Sequence, residues 1–190
     1  MLSRGFMSET DLDDLIAKHI APETELEGFM VLNEDLRVGL DYGFPRDGHP
    51  EGKVILHVGA VLKNIDEFYG GDGERSLLRT IGIVHDSFKY HGRALGQPHG
   101  VLAREFAKDY IDDERVLEVL EKHDEGHKLW KKWAKEHRWR EAEDDARTLI
   151  GELRSSGAME LFLHFYDCDN NVEGKDRRHY KWFKGLVERH

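Results

Sequence analysis

Apolar positions recur at helical rather than strand intervals along almost the whole chain. SETDLDDLIAKHI opens with capping residues and spaces Leu12, Leu15 and Ile16 on one face, and EGKVILHVGAVLKNIDEF carries Val54, Val58, Val61, Leu62 and Ile65 on one stripe. The same habit returns in GERSLLRTIGIVHDSFKY, HGVLAREFAKDYI, DDERVLEVLEKH and SSGAMELFLHFYDCD. Between them YGFPRDGHP, YGGDG and HGRALGQP, rich in glycine and proline, predict loops. Only FMVLNEDLRVGL reads as a strand, short and isolated. The pattern predicts an all-α globule of roughly seven to nine helices. No repeat or low-complexity segment interrupts it.

At 190 residues the chain has the length of a single domain able to bury a substantial core. Cys168 is its only cysteine, which excludes an intramolecular disulfide and points to a reducing compartment. No apolar run approaches membrane-spanning length, and MLSRGFMSETDLDD lacks the apolar segment and cleavage site of a signal peptide. The expectation is a soluble, cytoplasmic protein without a membrane partner. A net charge of −10 argues against nucleic-acid binding through bulk electrostatics.

Twelve histidines are many, and several interrupt apolar segments. His57 in VILHVGAV faces inward on the helical pattern, either as a hydrogen-bonded neutral imidazole or as a metal ligand. In IVHDSFKY, His85 and Asp86 end an apolar run. Successive helical residues project roughly 100° apart, so both would leave a packed face unpaired unless a cation lies between them. Imidazole nitrogen and carboxylate oxygen suit a first-row divalent ion, whose charge makes a buried Asp86 tolerable. A His/Asp pair at a surface edge explains the dipeptide equally well when it is taken alone.

Leu161, Phe165 and Asp169 follow at i, i+4 steps, which puts Asp169 on the face that the two apolar residues bury; Asp167 is its rival. His99 opens a helix after Pro98. His123 ends the amphipathic DDERVLEVLEKH, with His127 one turn beyond as its alternative. His91, His137, His179 and His190 lie among charged residues and read as surface.

The ordered set His57, His85-Asp86, His99, His123 and Asp169 resembles the HD superfamily of metal-dependent phosphohydrolases, named for the paired motif found here in VHDSFKY. HPEGKVILH is similar to the entry into the HD domain of bacterial tRNA nucleotidyltransferases. The resemblance covers about residues 49–169, leaving 1–48 and 170–190 as extensions of a single HD-type domain. It implies an all-α fold in which His57, His85, Asp86 and Asp169 bind one divalent ion (manganese, iron, cobalt, nickel, zinc or magnesium). It further implies that His99 and His123 hold a second ion or the phosphate. Lys89 matches a lysine that some subfamilies place near the phosphate, and with Asp86 it is the candidate catalytic residue. The implied activity is hydrolysis of a phosphoester or phosphoanhydride, with a nucleotide or another small phosphorylated metabolite as substrate.

Ser87 and Phe88 depart from the aliphatic residue and glycine that many relatives carry after HD, which questions close helix packing behind the motif. The GYP signature of the cyclic dinucleotide branch and a nucleotidyltransferase catalytic domain are not matched. The alternatives are a non-catalytic metal- or nucleotide-binding module acting through a partner, and an oxygenase on a di-iron HD scaffold. KLWKKWAKEHRWR mixes tryptophans with basic residues in a way that suits stacked bases, but Trp130, Trp133 and His137 also follow the spacing of a helix packed on a core. Lys175, Arg177 and Arg178, close after Asp169, are placed to meet an anionic substrate. The oligomeric state leaves no trace in the sequence.

Overall fold

The computed structural model describes residues 7–45 and 52–190. The HPEG residues before Gly52, most of the YGFPRDGHP loop and the proposed boundary at residue 49 lie outside them. Twelve α-helices form among the described residues. In chain order they are α1 (Glu9–His19), α2 (Glu25–Leu32), α3 (Glu34–Leu40), α4 (Val54–Tyr69), α5 (Arg75–Val84) and α6 (Lys89–Leu95). There follow α7 (His99–Ala107), α8 (Glu114–Lys122), α9 (Glu125–Ala134), α10 (Trp139–Ser155), α11 (Met159–Asn170) and α12 (Arg178–Arg189). The fold is all-α, as the apolar periodicity requires.

The helix count exceeds the expected one because short helices meet across one- to four-residue junctions. FMVLNEDLRVGL is not a strand: Asn33 interrupts it, and its side chain accepts from the amides of Asp35 and Leu36 to start α3. Two short helices result where apolar alternation over few residues imitates a strand. HGRALGQP is loop only in its last three residues, since α6 runs on to Leu95 and stops at Gly96, left-handed at φ 67°. Ser8, Thr24 and Asp113 cap α1, α2 and α8 through their side-chain oxygens.

One apolar core draws on both ends of the chain. Ile55, Val58, Val61 and Ile65 of α4 are fully buried and meet Leu78 and Ile81 of α5 and Phe162 and Phe165 of α11 in the same cluster. Leu12 and Ile16 of α1, and Phe183 and Leu186 of α12, belong to it too. Each buried aliphatic side chain contributes about 1.5–3 kcal/mol, so both extensions are held on the core by their own apolar stripes. A buried Arg79–Glu27 pair ties the N-terminal helices to α5, and Arg79 also donates to the carbonyl of Ile20. That guanidinium is therefore satisfied on several sides, as burial demands.

Two glycines set how closely the helices approach. A Cβ on Gly39 would lie 1.4 Å from the Ser87 carbonyl oxygen, so α3 rests directly on the backbone that follows His85-Asp86. The packing that Ser87 and Phe88 put in question is achieved by a glycine on the opposite helix. At Gly100 a Cβ would lie 2.5 Å from the Glu121 carbonyl oxygen, which brings the start of α7 against the end of α8.

Candidate metal centre

α5 ends at Val84, and His85, Asp86, Ser87 and Phe88 form a turn before α6 begins at Lys89. The two polar residues therefore stand past the helix end, where the chain changes direction, and not in the middle of one continuous helix. His85 is fully buried, and its Nδ1 donates to the carbonyl of Gly82 at 2.9 Å. That bond leaves the lone pair of a neutral ring on Nε2.

Nε2 lies 3.6 Å from Asp86 Oδ2 and 3.7 Å from Asp169 Oδ1, and it is buried without a hydrogen-bond partner. A lone pair facing two carboxylates inside a protein is unfavourable unless a cation or proton sits among them. Burial pushes the His85 pKa down to about 3, against the opposing pull of Asp86 and Asp169. A proton is thus a poor occupant at neutral pH, and the donors are spaced so that a metal ion can take its place.

His57 on α4 completes this group. Its Nε2 is 2.9 Å from Asp169 Oδ1 and 3.7 Å from Asp86 Oδ2, and the ring is buried. Ligand atoms bound at about 2.1 Å around one ion stand roughly 3–4 Å apart, the spacing found here. Asp169 lies in the last turn of α11 and faces the histidines, whereas Asp167 pairs with Arg177 on another side.

A second group adjoins the first. His99, the first residue of α7, and His123, the cap residue of α8, bring their Nε2 atoms within 3.0 Å of each other. Asp86 Oδ1 is 3.5 Å from His99 and 3.6 Å from His123. Asp86 therefore turns one oxygen to each histidine pair and joins the two groups. His123 Nδ1 donates to the Leu120 carbonyl at 2.8 Å, repeating the orientation of His85 one helix end away. His127 is in neither group; its ring packs, tilted, against His179 with centroids 4.5 Å apart. His179, read as surface in the sequence, is buried.

Charge balance keeps the carboxylates ionised. Burial disfavours a charge on Asp86, but Lys89, together with hydrogen bonds from His123 and His99, holds its pKa well below the ordinary range. Burial acts likewise on Asp169, and there Lys175 and His57 outweigh it. Lys89 pairs with Asp86, and Lys175 Nζ lies 2.7 Å from Asp169. Burial opposes a charge on His123 as well, yet Asp124 and Asp86 raise its pKa.

Asp124, absent from the sequence expectations, stands 3.6 Å from His99 Nε2. Its signal was present as a second histidine-aspartate pair, His123-Asp124, at the end of an amphipathic helix.

Two clefts reach this centre and share Lys89, Asp124 and Lys128 in their walls. The one of about 780 Å³ lies beside His99 and His123. The other, about 600 Å³, includes Asp86 and Asp169 and carries Lys131, Lys135, Lys175 and Arg178. No helix among the described residues is long and apolar enough to cross a membrane. The buried His/Asp groups can hold a metal ion in two adjoining places. No family model matches the chain, and no curated protein or solved structure matches it.

Proposed function

We propose that the chain is a phosphohydrolase of HD type, acting in the cytoplasm on a small phosphorylated substrate of the nucleotide class. The observation that carries this reading is the buried lone pair of His85, set between Asp86 and Asp169 and next to a cleft lined by lysines. Two imidazoles and two carboxylates suit manganese, iron, cobalt, nickel or zinc, with magnesium the hardest of the candidates. An ion held by His57, His85, Asp86 and Asp169 supplies a water of lowered pKa and positive charge beside the phosphoryl oxygens.

The remaining roles belong to the chain's own groups. Lys89, beside Asp86, holds a phosphoryl oxygen near the ligand carboxylate. His99 and His123 steady the phosphate from the other side or, together with Asp86, accept a second ion. Buried apolar packing around His85 and Phe165, whose rings lie 5.1 Å apart, limits water to the open cleft side.

The test is phosphate release from a panel of nucleotides and p-nitrophenyl phosphate, measured over several divalent ions with chelator controls. Metal-dependent turnover that disappears in Asp86→Ala, with helical circular dichroism retained, supports the proposal. Equal turnover by metal-stripped Asp86→Ala rejects it. Thermal stabilisation by nucleotide without any turnover identifies a binding module instead.

A further inference from the structure

The lysines of α9 fall on two faces of that helix. Lys132 turns toward α10, where it pairs with Glu141 and with Asp145 at 2.6 Å. Lys128 and Lys131, with Lys135 at the C-terminal cap of the helix, recur at i, i+3 and i+7, a single stripe, and all three line the cleft that contains Asp86 and Asp169. Lys175 and Arg178 enter the same cleft from the other wall, with the Arg178 guanidinium 5.7 Å from the Trp130 ring. Lys128 has Glu125 as a partner at 2.6 Å. Lys131 and Lys135 are exposed, and neither pairs with a carboxylate among the described residues.

Lysines left unpaired in a chain of net charge −10, gathered in one cleft, form a local field for an anion. The stripe is also too long for one phosphate, because seven helical residues span about 10 Å. In the neighbouring cleft Lys122 is tied to Glu118 and Glu152, and Arg93, bonded to the Tyr42 hydroxyl, stands there without a second free cation along a helix beside it among the described residues.

Building on the phosphohydrolase reading, we infer that the substrate carries a chain of phosphates. Its terminal phosphoryl group lies at the His57, His85, Asp86 and Asp169 centre, and the following phosphates lie along Lys131 and Lys135. Water adds to the terminal phosphorus, the bridging P–O bond breaks, and its electron pair leaves with the shortened phosphate chain. One proton of the water stays on the released orthophosphate and the other passes to solvent. Such a leaving group is a stable oxyanion held by lysines, so the reaction needs no general acid. That agrees with the unpaired ammonium groups of Lys131 and Lys135 in the cleft wall, where Arg178 is paired with Asp176.

The experiment is calorimetric titration of the metal-free full-length protein with inorganic tripolyphosphate, orthophosphate and a single-stranded oligonucleotide, for wild type and for Lys131→Glu/Lys135→Glu. Wild type is expected to bind tripolyphosphate at least about tenfold tighter than orthophosphate. The exposed double substitution is expected to abolish that preference and leave orthophosphate binding unchanged. Equal affinity for both anions, or a preference that survives the substitution, overturns the inference. So does tighter, lysine-dependent binding of the oligonucleotide, which would assign the stripe to a nucleic-acid backbone. Turnover of p-nitrophenyl phosphate reports separately on the hydrolase reading: turnover without tripolyphosphate preference rejects the lysine stripe alone.

Discussion

His57 and Asp169 are 112 positions apart in the chain and meet at 2.9 Å, Nε2 to Oδ1. The packing of α4 on α11 brings them together. Two turns along α4, Asn64 donates to the Cys168 carbonyl at 2.8 Å and fixes the register of the two helices. The contact is therefore a product of helix packing, and it places a carboxylate where the His85 lone pair also points.

Asp169→Asn is expected to lower the affinity for manganese or zinc by at least about 100-fold, the upper end of what losing a mere supporting hydrogen bond costs a metal site. Asp167→Asn, which alters the contacts with Arg177 and Tyr180, is expected to bind within a few-fold of wild type. Titration calorimetry of the two variants decides, and a larger loss in Asp167→Asn would move the ligand to the other aspartate.

Metal binding is expected to stabilise the fold, because the buried donors come together only in the folded chain. At an ion concentration near 100 times Kd the gain is about 2.7 kcal/mol. The rise in melting temperature over chelator-treated protein should vanish in His85→Ala. A rise of equal size in that variant would place the ion elsewhere.

Gly39→Ala would put a methyl group against the Ser87 backbone, and backbone cannot rotate away as a side chain can. The expected loss is about 3 kcal/mol or more, read from denaturant unfolding. Metal affinity should fall with it, because Ser87 directly follows His85 and Asp86. An unchanged midpoint would show that α3 does not seat the turn.

His179 offers a pH signature at a buried residue that is not itself a proposed ligand. Burial, with help from His127, pushes its pKa down to about 4, and its Nδ1 meets the Tyr166 hydroxyl at 2.8 Å. The folded state therefore binds fewer protons than the unfolded state between about pH 6.5 and 4. The stabilisation is complete above that window and is lost as pH falls through it, by about 1–3 kcal/mol. Denaturant midpoints compared at pH 7.5 and 4.5 should fall less in His179→Gln than in wild type. An equal fall in both would mean that His179 does not titrate abnormally.

The helical class was legible because burial on one side of a helix imposes its period on Val54 through Ile65 and on Leu161 through Asp169. Element boundaries were less legible. IVHDSFKY keeps a helical apolar rhythm across a turn, and FMVLNEDLRVGL alternates like a strand although Asn33 caps a helix. His57, His85, Asp86 and Asp169 were chosen as polar residues in or at the end of apolar segments, His99 and His123 for their places at a helix start and a helix end, and the fold gathers all six. Asp124 was missed because its neighbours are charged, so it looked like ordinary solvated surface. His179 was misread for the same reason: composition around a residue reports its segment, while burial depends on which helix lands on it.

Anomalous diffraction from crystals grown with manganese, cobalt or zinc tests the central claim most directly. The expected result is a peak about 2.0–2.3 Å from His57 Nε2, His85 Nε2 and a carboxylate oxygen each of Asp86 and Asp169. A structure in which these atoms point apart, or in which the ion binds away from them, would contradict it.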